Sequence, residues 1–128
     1  MNANISESPT IAEVAGAALT GAAALAVKYD ANGKIVLAGA GEHALGILPL
    51  DTADTVAANA RVTVINKQGV TTHWKAGATF AKGAELTPDA AGKAAVATTG
   101  NYIIAVALEA ATSVGQIVKV QIIKCGKK

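Results

Sequence analysis

The sequence predicts an all-β protein, a small antiparallel barrel or sandwich built from two similar halves, with an extended N-terminal arm. Three observations lead to this fold class. Short stretches rich in β-branched residues follow one another at close spacing. Two parts of the chain resemble each other in constant register. The core material is small, because 52% of the 128 residues are hydrophobic and only 3% are aromatic. A chain of this length supports one modest core.

The internal similarity joins residues 15–48 to residues 76–107. Asp30 matches Asp89 and Gly33 matches Gly92, in each case 59 positions apart. A duplicated unit explains the constant register, and coincidence between two alanine-rich segments is the alternative. In both copies an Asp-x-x-Gly-Lys segment provides an Asx-type side chain and a residue that accepts positive φ. Each segment is therefore predicted to be the tip of a β-hairpin.

The remaining strands are predicted from alternation and from the turns between them. Together with the hairpin strands they cover residues 24–29, 34–38, 43–48, 61–65, 71–75, 85–87, 93–97, 102–109 and 116–124. A helix over residues 14–27 is the rival interpretation, since alanine favours helix. Its counterpart in the second copy carries two glycines, Thr79 and Pro88, which oppose a helix. A short helical turn within residues 52–59 stays open.

Residues 1–13 are polar and include Pro9, so they are predicted to form an extended arm without a core of its own. Residues 14–128 are assigned to a single β domain. The uncharged run at residues 14–27 is shorter than a membrane span and is not preceded by a basic region typical of a signal peptide. We therefore expect no membrane association and synthesis in a cytoplasm.

The sequence offers no set of residues that would support catalysis. His43 and His73 lie apart from any cysteine or carboxylate at metal-ligand spacing, and Cys125 is the only cysteine. The carboxylates of Asp30 and Asp89 are explained by turn formation. The net charge of +2 comes from scattered basic residues, which argues against nucleic-acid binding. We expect no enzyme activity, no metal and no cofactor.

Four features together resemble the capsid cement, or head-decoration, proteins of tailed bacteriophages. They are the Ala-Gly-Ala segment that begins each copy, the Asp-x-x-Gly-Lys tips, Ala-Leu-Gly-Ile at residues 44–47, and residues 107–111 leading to Gly115. The resemblance covers residues 14–123. It implies a structural protein on the outer surface of the phage head, made in the host cytoplasm, that binds the major capsid protein and stabilises contacts between its copies. A ligand- or carbohydrate-binding β module and an enzyme accessory domain are the alternatives.

Capsid contacts are expected in the arm, since an extended segment can add a strand to an exposed sheet edge. The residues assigned to this contact are Ile5, Pro9, Thr10, Ile11 and Val14. A core with few aromatic residues also favours self-association, for which a homotrimer is expected and a dimer is the alternative. The apolar strand at residues 102–108 is assigned to the subunit interface through Ile104 and Val106.

Overall fold

The computed structural model describes residues 8–128 and shows an all-β, sandwich-like protein. These residues form twelve strands, and none of these residues is helical. In chain order the strands are β1 (Thr10–Val14), β2 (Leu19–Thr20), β3 (Ala26–Tyr29), β4 (Ile35–Leu37), β5 (Gly46–Ile47), β6 (Thr55–Val56), β7 (Arg61–Ile65), β8 (Thr71–Lys75), β9 (Glu85–Pro88), β10 (Ala94–Val96), β11 (Tyr102–Ala107) and β12 (Ile117–Lys127). The predicted fold class is confirmed.

Two antiparallel sheets of five strands make up the fold. Their strand orders are β1-β7-β5-β3-β4 and β10-β9-β11-β12-β8, and neither sheet closes into a barrel among the described residues. Strands β2 and β6 form a separate two-stranded pair. Read from the hairpin outwards, the first sheet runs β4, β3, β5, β7, β1 and the second runs β10, β9, β11, β12, β8. The two sheets therefore have the same order of equivalent strands.

The correspondence between the two parts of the chain is longer in the structure than in the sequence. Val14 pairs with Arg61 in the first sheet, as Lys75 pairs with Ile117 in the second. The bridge between Leu19 and Val56 likewise corresponds to the bridge between Phe80 and Ala111. We therefore call residues 10–65 the first half and residues 71–127 the second half. The outer strands β1 and β8 were not matched by sequence because TIAEV and TTHWK share only their first residue.

Both predicted hairpin tips are present, with the same hydrogen bonds. Asp30 Oδ1 accepts from the amides of Asn32 at 2.8 Å and Lys34 at 2.9 Å. Asp89 Oδ1 accepts from Ala91 and Lys93 at the same two distances. The bonds from the backbone, the one from Lys34 foremost, lower the pKa of the Asp30 carboxyl. These carboxylates thus serve the turns, as predicted.

Each half has its own hydrophobic cluster. In the first half it consists of small and branched aliphatic residues: Ala15, Leu19, Ala22, Leu25, Val27, Ile35, Leu48, Val56, Val62 and Val64. In the second half the equivalent cluster contains Trp74 and Phe80 and also takes in Ala26, Ala38, Ala44 and Ile47 from the first half. Since one face of β3 and β5 is buried against the second half, the two halves share a single continuous contact.

The N-terminal segment differs from its prediction where the structure describes it. Residues 10–14 form β1, which pairs along its whole length with β7 at the edge of the first sheet. The boundary placed after residue 13 therefore falls inside a strand. The pairing joins residues about 50 positions apart, which local sequence patterns do not reveal. Within residues 52–59, where a helical turn stayed open, the structure has β6 instead.

Candidate interaction surfaces

The contact between the two halves shows which surface of one half binds the other half within the chain. The β9–β10 tip of the second half lies on β3, where the amide of Ala26 donates to the carbonyl of Gly92 at 2.8 Å. The buried indole Nε1 of Trp74 donates to the same carbonyl at 2.9 Å. At the outer edge of β8 the amide of Lys75 donates to the carbonyl of Ala24 at 2.8 Å. A strand edge and a hairpin tip together make this surface.

The equivalent tip of the first half has no such partner within the described residues. A Cβ added to Gly33 would meet no atom within 4 Å, whereas one added to Gly92 would lie 2.8 Å from the Ala26 carbonyl oxygen. Both glycines have positive φ, +74° and +75°. The first half therefore exposes the tip that the second half buries.

These two glycines provide a matched pair of substitutions. We expect Gly33→Ala to lower the free energy of unfolding by about 1 kcal/mol, the cost of a left-handed alanine. Gly92→Ala carries the same conformational cost and also pushes the tip away from β3, so we expect a loss of about 3 kcal/mol. Urea unfolding of both variants measures the difference. Equal losses would contradict the placement of the second tip.

The residues assigned to capsid contact in the arm are placed as follows. Ile5 lies outside the described residues. Pro9 is exposed, and its carbonyl accepts from the amide of Asn66 at 3.1 Å. Thr10, Ile11 and Val14 are half-buried residues of β1, and Ile11 packs against the first cluster. The described part of the segment is thus an edge strand of its own sheet.

The two residues assigned to the subunit interface separate. Ile104 is fully buried in the second cluster of its own chain, so its side chain is not available to another subunit. The prediction for Ile104 is corrected on this ground. The surrounding strand β11 lies between β9 and β12, and first-half residues belong to the same cluster. Val106 is half-buried, and its first-half equivalent, Ile47, is buried in the contact between the halves.

Polar groups line an open groove beside β3, at the end that faces β11. Lys28 Nζ forms a salt bridge with Glu42 at 2.7 Å, and this contact lowers the pKa of the Glu42 carboxyl. The groove, of about 440 Å³, is completed by Tyr29, His43 and Leu45. His43 in turn stacks against Tyr102 with ring centroids 4.9 Å apart. The aromatic and charged groups here are largely committed to one another.

No group of three or more histidine, cysteine or acidic residues that could hold a metal occurs among residues 8–128. Cys125 is exposed, and Trp74 and Phe80 are core residues. A search of these residues for a helix long and apolar enough to cross a membrane found none. The features of the described surface that could bind a partner are therefore strand edges, the exposed hairpin tip at Gly33 and exposed apolar side chains such as Tyr29, Leu50 and Val114.

Comparison with known proteins identifies the family. The model of the phage cement protein family matches residues 31–122, which is most of the chain. The chain belongs to the phage cement proteins. It is a structural protein that decorates the phage head.

A solved structure has the same fold. It is the N base of the head fiber gp8.5 of bacteriophage phi29, with a TM-score of 0.66 and 18% sequence identity over 93% of this chain and 96% of the other. No curated protein matches the sequence. The resemblance inferred from the hairpin tips and the repeated segments is confirmed, and the cement protein is placed with the virion.

Proposed function

We propose that this cement protein binds the major capsid protein on the outer surface of the head and stabilises contacts between neighbouring capsid subunits, without catalysing a reaction. The family match over residues 31–122 carries the proposal. The contact between the halves supports it, since this fold forms stable contacts through strand edges and hairpin tips. We further propose synthesis in the host cytoplasm, in keeping with the single exposed cysteine.

The N-terminal arm is our proposed attachment segment. Its described end, Ser8 and Pro9, lies beside β1, whose outer edge is the edge of the whole first sheet. A chain that continues from such an edge can pair with a strand of a partner and place an apolar residue, here Ile5, in a pocket of that partner. Thr10, Ile11 and Val14 then contribute by fixing the point from which the arm leaves the sheet.

Removing the arm should separate folding from attachment. We expect deletion of residues 2–8 to lower the occupancy of purified, expanded heads at least tenfold, while β1 and its pairing with β7 remain. Sedimentation of heads with bound protein measures the occupancy, and thermal unfolding checks the fold. Lys128→Ala is the control, because it removes only an exposed salt bridge to Glu85. Full occupancy after the deletion would exclude the arm as the attachment segment.

The cement protein is also proposed to assemble as a homotrimer, with a dimer as the alternative. The unused tip at Gly33 can dock on the second half of a neighbouring copy, as the Gly92 tip docks on the first half. Val106 would then take the place that Ile47 has within the chain. Such a contact joins unlike surfaces and closes into a ring when the rotation allows.

The charge distribution supports this head-to-tail contact. Residues 10–65 carry three basic and five acidic side chains, whereas residues 71–127 carry six basic and three acidic ones. The first half of one copy and the second half of the next therefore attract each other. Because this attraction acts between exposed charges, we expect high salt to weaken self-association.

A further inference from the structure

One segment breaks the correspondence between the halves. In the second half, the connection from Ala107 to Ala111 is four residues shorter than its equivalent from Leu48 to Val56. The short connection stays on β12: the amide of Leu108 donates to the carbonyl of Lys119 at 2.9 Å, and the Lys119 amide donates to Glu109 Oε1 at 2.7 Å. Both backbone groups of Lys119 are thereby satisfied.

The first-half equivalent of Lys119 is Thr63. Thr63 pairs with Ala12 in the first sheet, and Lys119 pairs with His73 in the second. Thr63 and Lys119 therefore occupy equivalent positions in the two sheets. Since successive residues of a strand direct their amide and carbonyl to opposite sides, those of Thr63 point away from β1, towards the segment that follows β5. Strand β5 pairs with β7 at Ile47 and Ile65, and the structure shows no backbone hydrogen bond from the connection that follows β5, at residues 48–54, to either group of Thr63.

The sequence explains why these groups have no partner. Pro49 stands where the second half has Leu108, and proline has no N–H to donate to the Thr63 carbonyl. Leu50 stands where the second half has Glu109, and its side chain cannot accept from the Thr63 amide. Leu50 is instead 50% exposed. Because Pro49 and Leu50 replace the equivalents of Leu108 and Glu109, the Thr63 backbone has no partner from this connection for its amide or its carbonyl.

A groove of about 240 Å³ lies at this place. One side of the groove is the stretch of β7 from Arg61 to Thr63, and the other side is the longer connection of the first half. Asp51 of the connection and Arg61 of β7 both line the groove, so the groove carries both signs of charge. An open backbone donor and acceptor in a groove are the requirements for binding an extended peptide by strand addition.

We propose that this groove binds a short extended segment of another protein chain, which offers a backbone N–H to the Thr63 carbonyl and an acidic side chain to the Thr63 amide. The second half provides the template for the occupant, because Leu108 and Glu109 make both of these bonds to Lys119. Arg61 and Asp51 both line the groove, and Arg61 would attract the acidic side chain of the bound segment. That the segment belongs to a capsid protein rests on the proposed function, whereas the docking itself does not.

The test uses the full chain and a synthetic probe, N-acetyl-Leu-Glu-amide, which copies residues 108 and 109. We expect a saturable change in the NMR chemical shift of the Thr63 amide, with a dissociation constant in the millimolar range. A probe with alanine in place of glutamate should bind at least fivefold more weakly. No saturable shift, or equal binding of the two probes, would overturn the proposal whether or not the protein attaches to heads.

A double variant closes the groove from within the chain. Pro49→Leu with Leu50→Glu gives the first half the same pair of bonds as the second half, so we expect probe binding to fall at least tenfold. Hydrogen exchange of the Thr63 amide should slow at least tenfold, towards the rate of the Lys119 amide. Leu50→Ala is the matched control and should leave both readouts within about twofold. Undiminished probe binding to a folded double variant would contradict the assignment.

Discussion

Ile104→Asp is expected to prevent folding of the isolated chain. Its side chain is fully buried in the second cluster, so the substitution places a carboxylate among apolar groups with no charged partner. We expect a loss of more than about 4 kcal/mol in the free energy of unfolding, which is a large part of what a domain of this size has. Circular dichroism and urea unfolding of the purified variant measure the effect.

Val106→Asp, two residues along the same strand, is the matched variant. Val106 is half-buried, so the carboxylate can reach water, and we expect a loss below about 1.5 kcal/mol. Sedimentation should nevertheless show a shift from trimer to monomer, because Val106 would lie in the head-to-tail contact. A folded Ile104→Asp protein would contradict the burial of Ile104. An unchanged oligomer of Val106→Asp would remove Val106 from the interface.

Trp74→Ala is expected to have the second large effect, because Trp74 is the largest fully buried side chain and belongs to the contact between the halves. Truncation leaves a cavity that a core of small aliphatic residues cannot fill, and we expect a loss of about 3 to 5 kcal/mol. Differential scanning calorimetry and urea unfolding measure it. Both halves should lose stability together, since Ala26 and Ile47 of the first half share this cluster.

Trp74→Phe separates packing from hydrogen bonding. One six-membered aromatic ring is kept, while the indole N–H is lost together with the volume of the second ring, and the Gly92 carbonyl still accepts from the amide of Ala26. We therefore expect a loss of about 1 to 2 kcal/mol. If Trp74→Phe were as damaging as Trp74→Ala, the hydrogen bond to the second tip would be more important than the filled volume.

The structural correspondence between the halves gives a physical meaning to the differences between them. Groups that the fold itself needs recur in register, as the Asp30 and Asp89 carboxylates do. A Cβ at Gly16 or Gly77 would overlap these carboxylates, which explains the repeated Ala-Gly-Ala segments. The position of Trp74 in the second half is occupied by Glu13 in the first half, and the position of Leu108 in the second half is occupied by Pro49 in the first half. Such differences mark the surfaces at which one half forms contacts that the other half does not form.

The sequence by itself determined the fold class, the hairpin tips, most of the strands and the family. Each depends on local information: Asp and Gly at fixed spacing in a tight turn, alternation along a strand, and the constant register of two copies. Arg61 to Ile65 and Thr71 to Lys75 were predicted with the bounds that the structure shows. These signals are sufficient because turns and short strands are specified by neighbouring residues.

Only the tertiary structure decided how the two copies meet and what each of them leaves exposed. β1 reads as a polar arm, and its partner β7 lies about 50 residues further along the chain. Ile104 and Val106 lie on one apolar strand, yet the first is in the core and the second is partly exposed. The backbone groups of Thr63 have no partner from the connection after β5, because Pro49 has no N–H to donate and the Leu50 side chain cannot accept. Long-range pairing sets all of these properties, and no local pattern encodes it.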